Sequence, residues 1–325
     1  MEKRKLGSAG PEVPVICLGG NVYGWTLPEA EAFRQFDAAL DAGMNFVDTA
    51  DVYSRWVPGN TGGESERIIG KWFAKTGKRK DVILATKVGM EMGEGKKGLK
   101  AAYIRQAVED SLERLQTDYI DVYQAHRDDA ETPLEETLSA FNELVKQGKV
   151  RYIGASNYSG ARLAEALEIS RTHGFASYIS LQPHYNLMER QEYESDLLPV
   201  VEKYQLGVIP YFALAAGFLT GKYRSPQDAA KTARGSMVQK YLNDWGFAVV
   251  AALDEVANAH SSTPARVALA WLLAQPGITA PIASATNERQ LADLAEAAKL
   301  KLDVESIEKL DEASARKVGA EALAG

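Results

Sequence analysis

The stretch Val82-Ile83-Leu84-Ala85-Thr86-Lys87 decides the fold, because it is short, apolar over most of its length and preceded by Lys80-Asp81. Such a segment is typical of a parallel strand that is buried on both faces. A longer amphipathic segment, Lys100–Leu115, follows it, and another apolar run, Ile120–Gln124, comes next. The order strand, helix, strand predicts two parallel strands joined by a crossover helix.

The same alternation extends over almost the whole chain. The predicted strands are Val15–Leu18, Asn45–Asp48, Val82–Lys87, Ile120–Gln124, Tyr152–Ser156, Ile179–Pro183, Gly207–Tyr211 and Ala280–Ala283. The predicted helices are Pro28–Ala42, Ser65–Ala74, Lys100–Leu115, Leu134–Gln147, Ser159–Thr172, Leu197–Tyr204, Tyr241–Ala259, Pro264–Gln275 and Asn287–Ala298. Eight parallel strands alternating with helices predict an α/β protein with a (β/α)8 TIM barrel, and a doubly wound open sheet is the alternative.

Two segments lie outside the repeat. Arg4–Val13 contains the turn sequence Gly7-Ser8-Ala9-Gly10-Pro11 and predicts an N-terminal β-hairpin. The tail from Asp303 to Gly325 predicts one extra C-terminal helix, Ser306–Arg316. Residues 1–325 are therefore interpreted as a single TIM-barrel domain.

Composition excludes several classes of function. The net charge is −7, which disfavours nucleic acid as a partner because phosphate binding needs clustered Lys and Arg. The four histidines are scattered and predict no metal site. The most apolar stretch, Tyr211 to Leu219, is too short to span a membrane, and the charged N-terminus does not resemble a secretory signal.

A single cysteine, Cys17, lies in the apolar run Val15–Leu18, and it predicts a buried, inert thiol. These features together predict a cytoplasmic protein. They leave the oligomeric state open, and a monomer is compatible with them.

Polar residues stand at the ends of several predicted strands, where active sites of such barrels form. Asp48, Lys87 and His126 end or follow successive strands, and Tyr53 comes five residues after Asp48. Reduction of a carbonyl by hydride requires a proton donor, and a tyrosine can serve if a nearby ammonium lowers its pKa from about 10 toward neutrality. We predict that Lys87 supplies this charge, that Asp48 holds Lys87, and that His126 orients the carbonyl oxygen.

Each of the four residues also has a structural interpretation. Asp48 could cap a turn, Tyr53 could be a core residue with a hydrated hydroxyl, Lys87 could be solvated, and His126 could belong to a surface loop. Their occurrence together at strand ends favours a site.

Several motifs carry a family resemblance over nearly the whole chain. They are Phe46-Val47-Asp48-Thr49-Ala50-Asp51-Val52-Tyr53, Gly63-Glu64-Ser65-Glu66, Thr86-Lys87, Tyr119-Ile120-Asp121-Val122-Tyr123-Gln124-Ala125-His126, Lys149–Asn157, Gln182–Asn186 and Gly217–Lys222. The chain resembles the aldo-keto reductases. The resemblance implies a TIM barrel, a nicotinamide cofactor, and the tetrad Asp48, Tyr53, Lys87 and His126 reducing an aldehyde or ketone to the alcohol.

The resemblance also implies a set of cofactor-binding residues. Ser156, Asn157 and Gln182 match the positions that hold the nicotinamide carboxamide, and Tyr211 matches the aromatic residue that stacks on its ring. Leu214, Gly217 and Lys222 match the loop over the pyrophosphate. Ser284, Thr286, Gln290 and Asp293 match positions that meet the adenosine half.

The chain departs from the family pattern near the cofactor. Phe212-Ala213 replaces a common Ser-Pro, and Leu294 replaces a common Asn. No basic residue stands at Ser284–Thr286 to meet a 2′-phosphate, although Arg289 is near and Arg234 could substitute. NADPH is the expected cofactor, and NADH remains the alternative.

Loops supply the remaining expectations. Trp25 and Trp56 follow the first and second predicted strands, and we predict that they line the substrate pocket. The long loops Val88–Leu99 and Ala215–Gln239 have the length of functional loops. Gly93–Gly98 matches G-x-G-x-x-G, but it starts too far beyond its strand for a dinucleotide fingerprint and is interpreted as a flexible polar loop.

Two other classes of function remain open. A redox-sensing binding module, such as a potassium-channel β-subunit, could retain all four residues, and only turnover distinguishes it from an enzyme. A metal-dependent TIM-barrel isomerase would need several carboxylate and His ligands at strand ends, where only Asp48 and His126 qualify.

Overall fold

A computed structural model describes residues 1–230 and 232–315. A two-stranded antiparallel hairpin comes first, with β1 at Lys3–Lys5 and β2 at Glu12–Pro14. The strands that follow are β3 (Cys17–Gly19), β4 (Phe46–Asp48), β5 (Ile83–Val88), β6 (Ile120–Ala125), β7 (Val150–Ser156), β8 (Tyr178–Gln182), β9 (Gly207–Val208) and β10 (Ile282–Ala283).

The helices alternate with these strands. They are α1 (Glu29–Asp41), α2 (Glu64–Thr76), α3 (Ala101–Leu115), α4 (Leu134–Lys146), α5 (Gly160–His173), α6 (Leu198–Tyr204), α7 (Pro226–Ala229), α8 (Gly235–Val238), α9 (Asp244–Ala259), α10 (Pro264–Ala274), α11 (Glu288–Ala297) and α12 (Val304–Ser314). The extra C-terminal helix is confirmed as α12, although Arg316, its predicted last residue, lies outside the described residues.

The eight strands form a closed parallel barrel. Their order is β10-β3-β4-β5-β6-β7-β8-β9, and all neighbouring pairs are parallel. Backbone hydrogen bonds from Thr279 to Val208 (2.8 Å) and from Ile282 to Pro210 (2.9 Å) join the two edges. The predicted (β/α)8 barrel is therefore confirmed, and the doubly wound open sheet is excluded because such a sheet keeps two free edges.

Two strands, β9 and β10, are shorter than the sequence predicts by two or more residues, and proline explains both. The ladder of β9 stops at Val208, and that of β10 starts at Ile282. Pro210 and Pro281 fall inside the predicted ranges, and proline has no N–H to donate to a ladder. The barrel therefore closes at this seam on a few backbone hydrogen bonds and one isolated bridge, between Val208 and Ile278, rather than on a continuous ladder.

The start of α9 also differs from the prediction. The helix begins at Asp244 rather than Tyr241, because the Asn243 side chain accepts a hydrogen bond from the Gly246 N–H and so caps the helix there.

The hairpin fills the N-terminal end of the barrel. Leu6 and Val13 pack with inward-facing strand residues, including Cys17, Phe46 and Val122. Cys17 is thus buried inside the barrel, as predicted. With this end filled by apolar side chains, the polar strand ends gather at the opposite, C-terminal face.

Gly70 sets the close packing of α2 against α3. A Cβ added at this position would lie 2.2 Å from the backbone oxygen of Arg114, which is far inside van der Waals contact. The two helices flank the strands that carry Asp48 and Lys87, so their spacing supports the site from outside.

We expect Gly70→Ala to lower the free energy of unfolding by about 1–3 kcal/mol, the usual effect of overpacking, although alanine is the better helix former by about 1 kcal/mol. Ala74→Gly on the exposed face of α2 is the matched control and should cost only the propensity difference of about 1 kcal/mol. Urea denaturation measures both, and a gain in stability for Gly70→Ala would contradict this packing.

Candidate active site

The C-terminal face of the barrel brings together polar side chains from successive strands. Asp48 ends β4, Lys87 is the penultimate residue of β5, and His126 follows β6 directly. Ser156 ends β7 and Gln182 ends β8. Because parallel strands end at one face, residues that are far apart in sequence become neighbours.

The Asp48 carboxylate accepts four hydrogen bonds although it is completely buried. Its Oδ2 accepts from Lys87 Nζ (2.7 Å) and from the Tyr53 hydroxyl (3.3 Å). Its Oδ1 accepts from the side-chain amides of Gln124 (3.1 Å) and Gln182 (2.9 Å). A buried charge is tolerated only when it is paired and hydrogen-bonded in this way.

The Lys87 ammonium is also completely buried, and three hydrogen bonds use all of its donors. It donates to Asp48, to the Thr49 backbone oxygen (2.8 Å) and to the Tyr53 hydroxyl oxygen (2.8 Å). The structure therefore places Asp48, Lys87 and Tyr53 in mutual contact.

The turn after β4 delivers Tyr53 to this point. The Tyr53 N–H donates to the Ala50 oxygen (3.2 Å), and the Thr49 and Ser65 hydroxyls share a hydrogen bond (2.7 Å) that ties the turn to α2. Ser54 adopts a left-handed backbone (φ 71°), and its hydroxyl donates to the Tyr23 oxygen (2.7 Å). The motif from Asp48 to Tyr53 is thus one rigid turn.

The expected lowering of the Tyr53 pKa is wrong for this structure. Burial, followed by the charge of Asp48 and the hydrogen bond to it, raises the pKa of Tyr53 well above its usual value. Lys87 is not the only charge beside Tyr53, because Asp48 lies 2.7 Å from that ammonium and compensates it. Tyr53 therefore keeps its proton at neutral pH.

His126 faces Tyr53 across the site, with 6.2 Å between the ring centroids. Burial, then the charges of Lys87 and Arg127, hold the pKa of His126 well below its usual range. Its Nδ1 is buried and has no hydrogen-bond partner among residues 1–230 and 232–315. The ring is accordingly neutral at pH 7 and carries one N–H.

The four residues expected at the nicotinamide lie beside this cluster. The Ser156 hydroxyl donates to the backbone oxygen of Gln182 (2.8 Å), and Asn157 Nδ2 donates to the backbone oxygen of His126 (2.8 Å). Tyr211 donates its hydroxyl hydrogen to Asn157 Oδ1 (2.8 Å). A carboxamide bound here must exchange with some of these contacts, since the side chains now satisfy one another.

The Tyr211 ring has a well-defined backing. His184 stacks on it, with 5.1 Å between centroids and 16° between planes. This stack fixes the plane of Tyr211, as a ring-binding platform requires.

The loop after Tyr211 contains Leu214, Gly217 and Lys222, and its backbone is strained. Ala215 and Ala216 have φ values of 47° and 56°, and non-glycine residues in this region often mark functional sites. A Cβ at Gly217 would lie 3.1 Å from Lys222 Nζ, so glycine allows the ammonium to approach the backbone. Backbone and ammonium together fit a phosphate-binding turn.

The four residues expected at the adenosine cluster around the N-terminus of α11. Gln290 Oε1 accepts from the Thr286 N–H (2.8 Å), and the Ser284 hydroxyl donates to Asn21 Oδ1 (2.6 Å). Asp293 accepts two hydrogen bonds from Arg266 of α10 (2.9 and 2.7 Å). Arg266 is therefore a basic residue near this segment that sequence reasoning missed.

Trp25 and Trp56 form an aromatic wall beside Tyr53. Their rings meet edge to face at 5.6 Å, and Trp56 lies 6.1 Å from Tyr53 between centroids. The Arg234 guanidinium lies over the Trp25 ring, 5.2 Å from the ring centroid. Trp56 is 49% exposed, which is unusual for so large an apolar side chain and is typical of a binding surface.

Sequence reasoning missed Gln124. This residue is completely buried, donates to Asp48 and accepts from Gln182 Nε2 (3.1 Å). A usable signal existed, because an amide in the apolar run Ile120–Ala125 needs a polar partner inside the barrel.

The Gly93–Gly98 loop does not have the surroundings of a phosphate-binding turn. Asp129 accepts a hydrogen bond from the Leu99 N–H (2.8 Å), and a Cβ at Gly98 would lie 2.6 Å from the same carboxylate. The acidic side chain of Asp129 therefore already accepts from the Leu99 N–H, a donor that a bound phosphate would need.

The described residues contain no helix long and apolar enough to cross a bilayer.

Comparison with known proteins gives one consistent family. The model of the aldo/keto reductase family matches residues 15–315. An uncharacterized oxidoreductase of Bacillus subtilis, YrpG, is 38% identical over 320 residues, which cover 96% of this chain and 95% of the relative. The aldo-keto reductase str7 of Strobilurus tenacellus is 36% identical over 301 residues, covering 90% of this chain and 84% of the relative.

A third relative carries a different description. A probable voltage-gated potassium channel subunit beta of Oryza sativa is 34% identical over 301 residues and covers 90% of both chains. The barrel, the turn from Asp48 to Tyr53 and the length of these matches agree, and the chain belongs to the aldo/keto reductase family.

Proposed function

We propose that this protein reduces an aldehyde or ketone to the corresponding alcohol with NADPH, and that Tyr53 is the general acid. The observation that carries the proposal is the Tyr53 hydroxyl, which keeps its own proton while its oxygen accepts a hydrogen bond from the Lys87 ammonium at 2.8 Å. A proton donor of this kind must be protonated before reaction and stabilised as an anion after it.

Bound NADPH supplies the hydride for the carbonyl carbon. Tyr53 transfers its proton to the carbonyl oxygen, the O–H bond of the phenol breaks, and a phenolate remains. The Lys87 ammonium already donates to this oxygen, so its interaction strengthens as the negative charge develops. A proton from solvent then restores the phenol.

His126 positions the carbonyl oxygen. Because it is neutral, its single N–H can donate to that oxygen without competing with Tyr53 for the proton transfer. The two rings lie 6.2 Å apart between centroids, so a carbonyl oxygen bound beside both could accept a hydrogen bond from each.

The cofactor would bind across the C-terminal face of the barrel. Ser156, Asn157 and Gln182 would hold the carboxamide and Tyr211 the ring. Leu214, Gly217 and Lys222 would meet the pyrophosphate, and Ser284, Thr286, Gln290 and Asp293 the adenosine half. Arg266 at that end is paired with Asp293 at 2.7 Å, so the choice of NADPH over the alternative, NADH, rests on the family.

A second candidate is a protein that binds the cofactor and regulates a partner, because one relative is described as a channel subunit. The two candidates differ in turnover. An enzyme with a complete tetrad should turn over substrate, whereas a sensor needs only to bind the cofactor. A metal-dependent isomerase fits less well, since the Lys87 ammonium stands where Asp48 would hold a cation.

We expect Tyr53→Phe to lower kcat/KM for simple aldehydes by about 10²–10⁴-fold, the usual contribution of a positioned acid, with nearly unchanged Kd for NADPH. Oxidation of NADPH and of NADH against a panel of aldehydes, ketones and sugars measures turnover, and cofactor fluorescence measures binding.

Tyr119→Phe is the matched control for that assay. Tyr119 lies between Arg79 and Arg151 just before β6, at the opposite end of the barrel. Full activity of Tyr53→Phe would contradict the proposed acid, and wild-type protein that binds NADPH but turns over none of the panel would favour the regulatory candidate.

We expect Trp56→Ala to lower kcat/KM for bulky aromatic aldehydes about tenfold more than for propanal, because an apolar contact of this size contributes about 1–3 kcal/mol to discrimination. Val304→Ala removes another exposed apolar side chain far from the site and serves as the control. Equal losses for both substrate classes would argue against Trp25 and Trp56 as the substrate wall.

A further inference from the structure

A second polar cavity lies on the outer side of the barrel wall, and the proposed reaction does not use it. Its volume is about 200 Å³. The residues that matter for its chemistry are Asp51, Arg67, Met92, Lys96, Tyr103 and Arg114. The Thr86 hydroxyl donates outward to Glu66 of α2 (2.6 Å), while its neighbour Lys87 points inward, so the barrel wall separates this cavity from the tetrad.

Asp51 is the unusual group in this cavity. Its side chain is only 1% exposed, and no group in the described part of the chain donates a well-formed hydrogen bond to either carboxylate oxygen, although the Val52 backbone N–H lies close enough to lower its pKa. Burial, followed by the charge of Glu66, raises the pKa of Asp51 well above its usual value. A buried carboxyl with two free acceptors is costly unless something donates to it.

The Tyr123 hydroxyl is a second buried group of the same kind. It also has no hydrogen-bond partner within residues 1–230 and 232–315, and burial, followed by the charge of Asp51, raises its pKa. Two independent polar groups therefore lack partners in the same region of the outer wall.

The other charges around the cavity are largely paired. Arg114 Nε donates to Glu66 (2.6 Å), and Arg67 donates to Glu64 (3.1 Å). Lys96 is exposed, and Asp110 accepts from Gln106 (2.7 Å). Asp51 is thus a fully buried carboxyl at this cavity to which none of the described cations donates a hydrogen bond.

We propose that this cavity binds a small primary ammonium ion, with Asp51 as its carboxylate partner. An ammonium group brings one positive charge and three N–H donors, which would stabilise Asp51 in its ionised form against the burial that favours its protonated form. The Tyr103 ring and the Met92 thioether suit the alkyl part of such a ligand and its charge. Water would supply donors but not the compensating charge.

The position of the cavity gives binding a structural consequence. Asp51 lies in the same turn as Asp48 and Tyr53, and its backbone N–H donates to the Lys87 oxygen (3.3 Å). A ligand at Asp51 therefore holds this turn from outside the barrel. The inference rests on the turn and the cavity and is independent of the proposed reductase activity.

The test uses ethylammonium chloride as the probe and the full-length protein. We expect a saturable rise in Tm for the wild type beyond that given by sodium chloride at equal ionic strength. Asp51→Asn should raise the fitted Kd for ethylammonium by about tenfold or more, the loss of affinity expected when a hydrogen bond to a charged group is removed. Glu308→Gln, which removes an exposed acidic charge from α12, should leave it unchanged.

Saturation-transfer NMR of ethylammonium with the wild type needs no variant and should show contact with the protein. A Tm response equal to that in sodium chloride, an equal Kd for Asp51→Asn and the wild type, or no saturation transfer would each overturn the site. These readouts involve no NADPH oxidation, so failure here is distinct from failure of the proposed reaction.

Discussion

The structure of the site depends on the four hydrogen bonds accepted by the Asp48 carboxylate. Their donors come from β5, β6, β8 and the turn after β4, so one side chain joins half of the barrel strands at their C-terminal ends. Removing this group would leave the Lys87 ammonium buried without its charge partner, which is more costly than never having buried the pair. The geometry of Tyr53 and Gln182 follows from the same carboxylate.

This arrangement changes how the chemistry of Tyr53 is understood. If Lys87 acted alone, its charge would favour the phenolate and lower the pKa of Tyr53. With Asp48 at 2.7 Å, the pair is nearly neutral toward its surroundings, and the phenol stays protonated. The ammonium contributes when the phenolate forms, which is when stabilisation accelerates a reaction.

Much of the fold could be predicted from the sequence, because buried parallel strands are short apolar runs such as Val82–Lys87. The ends of β9 and β10 could not be placed by that pattern, since Pro210 and Pro281 are compatible with an extended chain but not with a full ladder. The tetrad residues could be found because they are polar at strand ends. Gln124 could have been singled out as an amide inside an apolar run, but that run does not identify its partner Asp48, which lies 76 residues away. The partner of Arg266 lies 27 residues away, and no local pattern marks that arginine. The direction of the Tyr53 pKa required distances, since two opposite charges act on it.

The most direct test of this account is a spectrophotometric titration of Tyr53 ionisation, obtained as the difference between the wild type and Tyr53→Phe. The account predicts no Tyr53 phenolate below pH 10, the usual pKa of a tyrosine, and a lowered pKa when Asp48→Asn leaves Lys87 uncompensated. A Tyr53 phenolate that appears near neutral pH in the wild type, or a titration unchanged by Asp48→Asn, would contradict it.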